Sequence, residues 1–135
     1  MRVLVDTSAL LALANPRDQW HSRAIRTQRA NARSGVRYAG TMLVLAELHA
    51  HLLYLRGGDD ARRAVTALLD DPVYEWLPVD SALVGEAIGR WLRRFVDQRF
   101  SLTDAVSFEL MRRERIKQAF AFDRHFETAG FTLLD

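Results

Sequence analysis

The sequence contains no cysteine, and only one of its 19 basic residues, Lys117, is a lysine. Without cysteine the chain cannot form disulfides, thiolate metal sites, iron–sulfur clusters or cysteine nucleophiles. No apolar run approaches the roughly 20 residues that cross a bilayer, because charged or polar residues interrupt every one. Asp6 also interrupts the apolar stretch near the start, which is not the layout of a secretory signal peptide. We therefore expect a cytoplasmic protein that does not enter a membrane.

The composition is that of a globular protein. Of the 135 residues, 49% are hydrophobic and 27% are charged, which argues against intrinsic disorder. A chain of this length has room for one hydrophobic core. We expect a single domain over residues 1–135.

Positive charge is concentrated in one segment. The net charge is only +2, which does not by itself indicate a nucleic-acid-binding protein. Residues 17–37, however, contain six arginines and one aspartate, so that the remainder of the chain is net acidic. Because arginine is a bidentate phosphate ligand, the segment could contact a nucleic acid, although a solvated helix face is an equally good interpretation. The candidate nucleic-acid-binding residues are Arg23, Arg26, Arg29, Arg33 and Arg37.

Short apolar strands alternate with helices along the sequence. Strands are predicted at 3–5, 37–40, 73–79, 118–122 and 131–134, and helices at 10–14, 15–34, 42–55, 60–69, 81–96 and 103–115. Thr7 or Ser8 is the expected cap of the first helix, Asn15 of the second and Thr103 of the last. Parallel strands need helical crossovers, so the pattern predicts a three-layer α/β/α sandwich with a mainly parallel five-stranded sheet.

Four acidic residues occupy positions where such a sheet places its ligands. Asp6 and Asp123 follow predicted strands, Asp104 lies in the first turn of a helix, and Glu47 is set among apolar residues. Taken singly, each acid is more commonly a helix cap, a turn residue or an ion-pair partner. Taken together, and with almost no lysine to pair with them, they indicate a cluster that binds divalent cations.

Four sequence blocks in this order resemble those of the PIN-domain ribonucleases, and most closely the VapC-type toxins of toxin–antitoxin pairs. The blocks are 3–8 (VLVDTS), 46–48 (AEL), 101–108 (SLTDAVSF) and 121–126 (AFDRHF). The last two blocks, with their short separation, are the most specific. The resemblance spans the chain from end to end.

The resemblance implies a fold, an activity and a set of site residues. It implies metal-dependent hydrolysis of RNA by an acidic quartet that binds Mg²⁺ or Mn²⁺, a cognate antitoxin partner and a homodimer. The quartet corresponds to Asp6, Glu47, Asp104 and Asp123, with Ser8, Thr103 and Ser107 in supporting positions. From the residues alone, Ser107 lies one helical turn after Asp104 and could orient its carboxylate, whereas Ser8 and Thr103 are equally well explained as helix caps.

Two other functions are compatible with parts of the sequence. A non-catalytic PIN-like domain would bind RNA or act as a scaffold without using the acids. An aspartate-based phosphotransferase or phosphatase also has an aspartate after its first strand. The phosphatases, however, require a second aspartate at the position of Ser8. Both classes also use a lysine after a late strand, whereas Lys117 precedes the fourth predicted strand.

The histidines do not indicate a metal site. His49 and His51 have the wrong spacing for a zinc pair, and His125 is expected to be structural or to contact phosphate.

Overall fold

The computed structural model describes residues 1–134 of the chain. Its strands are β1 (Arg2–Val5), β2 (Arg37–Thr41), β3 (Tyr74–Leu77), β4 (Gln118–Phe120) and β5 (Thr132–Leu133). Its α-helices are α1 (Thr7–Ala14), α2 (His21–Arg33), α3 (Met42–Arg56), α4 (Gly58–Asp70), α5 (Ser81–Ala87), α6 (Leu102–Glu114) and α7 (His125–Thr128), and a π-helical turn (Ile88–Leu92) continues α5.

The five strands form one sheet in the order β3-β2-β1-β4-β5, and every strand pairing is parallel. The predicted parallel α/β/α architecture is therefore confirmed. The chain builds outward from β1 on one side through β2 and β3, and on the other side through β4 and β5. The strand order thus reverses between β1 and β4, where Val5 is in register with Phe120. Ligand sites of parallel sheets lie beyond the carboxyl ends of the strands at such a switch point.

Two hydrophobic cores cover the two faces of the sheet. Leu4 packs into the core that contains Phe108 of α6, and Val3 and Val5 pack into the core that contains Leu48 of α3. The three apolar residues of β1, Val3, Leu4 and Val5, are fully buried, which explains the uninterrupted apolar run that predicted this strand. The central strand consequently holds the residue that follows it, Asp6, at a fixed place between the helical layers.

Several predicted boundaries are wrong, for local reasons. The second helix begins at His21, because residues 15–20 form turns in which the Asn15 and Asp18 side chains accept hydrogen bonds from the amides of Arg17 and Trp20. Side chains of this type compete with the helix for backbone donors. The helix predicted to reach Val96 ends as α5 and its π-turn at residue 92, in a stretch that two glycines weaken. The short helix α7 was not predicted.

The predicted caps of two helices are also corrected. Asp6, rather than Thr7 or Ser8, is the N-cap of α1. Ser101, rather than Thr103, is the N-cap of α6. In each case the preferred cap is the residue with extended backbone geometry immediately before the first helical residue.

None of the helices within residues 1–134 is long and apolar enough to span a membrane.

Candidate active site

Asp6 is held at the carboxyl end of β1 by Ser8. The Asp6 side chain is only 4% exposed, and its Oδ2 accepts hydrogen bonds from the Ser8 amide at 3.2 Å and the Ser8 hydroxyl at 2.7 Å. The Ser8 hydroxyl in turn accepts a hydrogen bond from the Phe122 amide at 3.0 Å. Ser8 therefore joins the carboxylate to the chain that leaves β4.

Asp104 is fixed in the first turn of α6 by a reciprocal pair of hydrogen bonds with Ser101. The Ser101 hydroxyl accepts from the Asp104 amide, and the Asp104 carboxylate accepts from the Ser101 amide, both at 3.0 Å. This capping box satisfies two backbone donors at the helix start. It also leaves Asp104, at 8% exposure, in a single orientation toward the switch point.

His125 connects Asp104 with Asp123. Its Nδ1 lies 3.0 Å from Oδ2 of Asp104 and 3.4 Å from Oδ1 of Asp123, and its backbone amide donates to the same Asp123 oxygen at 2.9 Å. Because an ionised carboxylate can only accept, Nδ1 carries the proton in this arrangement. Candidate ligand atoms of the three residues all lie within 4.8 Å of one another.

His125 is predicted from the sequence to be structural or to contact phosphate, and its place in the acidic site is not predicted. Its position two residues after Asp123 is the one signal that could have found it. The contact with Asp104 spans 21 residues and depends on the turn into α7.

The acids influence one another's ionisation. The pKa of Asp6 is raised to about 6, mainly by burial and also by the charge of Asp104, against the hydrogen bonds from Ser8. Burial likewise raises the pKa of Asp104, against the hydrogen bonds from Ser101 and His125, and the charge of Asp123 adds to the rise. Buried carboxylates whose pKa is raised in this way are costly for a fold unless a cation compensates them.

Two buried hydroxyls next to these acids lack a partner among the described residues. Ser107 Oγ lies one turn after Asp104 on α6 and is fully buried, and Thr7 Oγ1 directly follows Asp6 in sequence. An unsatisfied buried hydroxyl costs about 1–3 kcal/mol. A set of carboxylate and hydroxyl oxygens of this kind fits a hard divalent cation such as Mg²⁺ or Mn²⁺ with its bound waters.

Two other predicted site residues, Glu47 and Thr103, form none of the side-chain contacts described above. Glu47 lies half-buried in the second turn of α3 and forms no hydrogen bond or ion pair within residues 1–134. Thr103 is half-buried in the first turn of α6, where Ser101 has taken its predicted capping role. The place of Glu47 in the quartet stays a prediction.

The arginine-rich segment is divided between the two ends of the molecule. The Arg23 guanidinium lies 5.9 Å from the centre of the Phe122 ring, next to Asp123. Arg37 begins β2, in register with Arg2 at the opposite end of the sheet, and donates to the Pro72 carbonyl at 2.7 Å. The five candidate arginines therefore do not form one surface around the acids.

Residues 3–132 match the family model described as the PIN domain. The chain belongs to the PIN-domain family. Over 129 residues it is 35% identical to the 23S rRNA-specific endonuclease VapC20 from two strains of Mycobacterium tuberculosis, a match that covers 96% of this chain and 95% of the relative. The resemblance to VapC-type PIN proteins is thus confirmed, and the alternative of an aspartate-based phosphotransferase is left without support.

Solved structures agree with this assignment. The crystal structure of M. tuberculosis VapC20, described as a sarcin–ricin loop cleaving toxin, superposes with a TM-score of 0.87 at 32% identity and covers 96% of both chains. VapBC2 from Rickettsia felis, bound to a DNA fragment from its promoter, has a TM-score of 0.72 at 14% identity, covering 98% of this chain and 97% of that one. FitAcB from Neisseria gonorrhoeae has a TM-score of 0.68 at 15% identity, covering 100% and 97%. These last two likenesses establish the fold alone.

Proposed function

We propose that this PIN-domain protein is a metal-dependent endoribonuclease and the toxin of a toxin–antitoxin pair. The observation that carries the proposal is the convergence of Asp6, Asp104 and Asp123 at the switch point of a parallel sheet. RNA is itself an anion, so an acidic cleft can act on it only when cations overcompensate the carboxylates. The relative of 35% identity is an RNA endonuclease, which supports the same reaction here.

The bound Mg²⁺ or Mn²⁺ would be held by Asp6, Asp104 and Asp123, with Glu47 as the predicted fourth acid. Divalent ions in such a site supply a water of lowered pKa as nucleophile and stabilise the charge that develops on the phosphate. We therefore assign no protein side chain as general base.

The other residues of the site orient the carboxylates. Ser8 fixes the Asp6 carboxylate to the Phe122 amide, and Ser101 fixes that of Asp104 to the start of α6. His125 donates to Asp104 and holds it beside Asp123. Because these contacts exist before RNA binds, little reorganisation is needed when the substrate arrives.

The proposal includes substrate, partners and location. We take a hairpin loop of ribosomal RNA as the substrate class, since the relative is specific for 23S rRNA and its structure is described as cleaving the sarcin–ricin loop. We also propose a cognate antitoxin, a homodimer and action in the cytoplasm, where ribosomes are found. Exposed apolar side chains at the end of α3, including Tyr54 at 89% exposure, are suited to a protein interface.

Cleavage of a sarcin–ricin-loop hairpin RNA tests the proposal. We expect cleavage with Mn²⁺ or Mg²⁺ that leaves 5′-phosphate and 3′-hydroxyl ends, and none in excess EDTA. Asp104→Asn keeps an acceptor for the Ser101 amide but removes a ligand charge, so it should lower the rate at least 100-fold. The matched control is Glu114→Gln on the same helix, whose carboxylate pairs with Arg2 far from the site.

Undiminished cleavage in EDTA would contradict the metal requirement. Tight RNA binding with no cleavage at any metal concentration would instead favour the non-catalytic PIN-like alternative.

A further inference from the structure

Trp20 and Phe122 form a parallel aromatic pair at the edge of the acidic site. Their ring centres are 5.3 Å apart and their planes differ by 3°. The Arg23 guanidinium lies 5.8 Å from the Trp20 ring and 5.9 Å from the Phe122 ring. Trp20 is 37% exposed although it is among the largest apolar side chains of the protein. A tryptophan left partly in solvent beside a catalytic site is a candidate contact for a ligand.

A groove of about 490 Å³ opens beside this aromatic pair, between the start of α2, the residues that follow β4, and β5. Its walls combine aromatic and aliphatic surface with charge, including Trp20, Phe122, Leu133, Arg23, Arg124 and Glu127. The volume is in the range of small-ligand sites. Arg124 is ion-paired with Glu127 at 3.4 Å, and the Arg23 guanidinium lies against the aromatic pair.

Phe122 links the groove to the acidic site. The Phe122 amide donates to the Ser8 hydroxyl, which donates to the Asp6 carboxylate. Phe122 also directly precedes Asp123 in the chain. A nucleotide whose phosphate lies at the acids would therefore have its neighbour within reach of the aromatic pair.

We propose that this groove is a nucleobase subsite, in which an unpaired base adjacent to the scissile phosphate stacks on the partly exposed Trp20 ring, which Phe122 covers from the other side. The inference rests on the proposed ribonuclease function. Aromatic rings and arginine planes are the groups with which proteins bind splayed-out bases of single-stranded or looped RNA. Of the arginine-rich segment, only the end that contains Arg23 then takes part in binding.

A purely structural interpretation of the same pair makes a different prediction. If Trp20 only anchors the start of α2 by covering Phe122, any apolar side chain of similar reach should replace it. If it stacks a base, an aromatic ring is required. Trp20→Leu and Trp20→Phe separate the two interpretations, because both keep apolar contact and only phenylalanine keeps a π-face.

The test uses the hairpin RNA of the cleavage assay, with 2-aminopurine placed at successive loop positions. Binding is measured in Mn²⁺ in the Asp104→Asn background, so that the RNA stays intact. We expect 2-aminopurine fluorescence to be quenched at one position next to the cleavage site. Trp20→Phe should keep the quenching, and Trp20→Leu should remove it and weaken binding about 5- to 100-fold. Arg37→Gln, at the far end of the sheet, is the control and should change neither.

Quenching that persists in Trp20→Leu would contradict the proposed subsite. Loss of quenching from both Trp20 variants, together with a smaller Mn²⁺-induced rise in Tm, would also contradict it, because Trp20 would then serve only to position Asp123. Unchanged RNA affinity of Trp20→Leu with loss of inhibition by the antitoxin would assign the groove to a protein and also overturn the proposal. Failure of the two proposals can be distinguished. Cleavage without quenching at any position would contradict the nucleobase subsite alone. Position-specific quenching without cleavage would support the subsite and contradict the ribonuclease function.

Discussion

Asp6 has two roles that place opposite demands on one side chain. As the N-cap of α1 it accepts a hydrogen bond that stabilises the helix, and as a buried acid beside Asp104 it resists ionisation. The folded-state pKa of about 6 lies above the ordinary value of 3.8. The folded state therefore favours the protonated form of Asp6. The contribution of Asp6 to the free energy of unfolding is complete below pH 3.8 and is lost as the pH rises through 6. Near neutral pH the metal-free protein carries this cost, on the order of 2–3 kcal/mol.

Replacing Asp6 with asparagine should separate the two roles. Asparagine is an equally good N-cap but carries no charge. In EDTA at pH 7 we expect Asp6→Asn to raise the Tm by several degrees and to flatten its fall between pH 4 and 6.5. Mn²⁺ at 100 times its Kd should stabilise the wild type by about 2.7 kcal/mol, or roughly 5–15 °C, and the variant by less. Differential scanning fluorimetry in EDTA and in Mn²⁺ measures both effects.

Asp80→Asn is the matched control for this prediction. Asp80 is also an N-cap aspartate, accepting from the Leu83 amide of α5, but it is exposed and outside the acidic cluster. Its replacement should leave the Mn²⁺ shift unchanged. An Asp6→Asn variant that loses stability in EDTA and keeps the full Mn²⁺ shift would show that Asp6 is a cap and not a metal ligand.

Individual site residues were predictable where their chemistry follows from local sequence. Asp6 and Asp123 each follow a buried apolar strand, and Asp104 stands in a recognisable helix start. His125 and Ser101 were missed because their roles depend on which side chains the turns bring together. The Trp20–Phe122 pair joins residues 102 positions apart, which no local pattern encodes.

At the scale of elements, strands were easier to predict than helix boundaries. A strand buried on both faces leaves a continuous apolar run, as in β1, whereas helix ends depend on competition between caps. The sequence does not reveal that Glu109 is fully buried on α6, because a single acid in a helix is ordinarily exposed. Burial disfavours its ionisation, but hydrogen bonds from Arg112 and Trp91 outweigh this and lower its pKa. That network holds α6, and with it Asp104, against the π-turn.

Helix α2 provides a prediction about RNA binding. At 1.5 Å per residue its 13 residues extend about 20 Å, from the site end at Arg23 toward the far end at Arg33. Replacing Arg23 and Arg26 with glutamine should therefore flatten the salt dependence of single-stranded RNA affinity by about 1.4, from roughly 0.7 per phosphate contact. Fluorescence anisotropy over a range of KCl concentrations measures this slope.

The control is the arginine pair at the opposite end of the segment, Arg33 and Arg37. Arg33→Gln with Arg37→Gln removes the same charge from the same segment, but Arg37 is already bonded to the Pro72 carbonyl at the other end of the sheet. Its slope should match the wild type. Equal slopes in all three proteins would assign the whole arginine-rich segment to solvated surface.

The whole molecule is organised along the direction of its strands. Three acids, His125 and the aromatic groove meet at the carboxyl ends, while Arg2, Arg37 and Glu114 lie at the other end. This polarity follows from the parallel sheet, in which every strand ends on the same side. The order of the strands could not be read from the sequence without the family resemblance, because alternating helices and strands are compatible with several parallel sheets. The structure supplies that order, and with it the place where distant acids converge.

The proposed toxin function makes a prediction for the cell as a whole. Expression of the wild type in a bacterial host without an antitoxin should arrest growth, because the proposed catalytic acids all come from one chain. Asp104→Asn should permit growth at the same protein level, since asparagine retains the acceptor for the Ser101 amide while a metal-ligand charge is removed. Glu114→Gln, the same chemical change at the opposite end of α6, should remain toxic. Growth curves, compared with immunoblots that give the level of each of the three proteins, measure this. Equal toxicity of the wild type and Asp104→Asn would show that the growth defect does not depend on the acidic site.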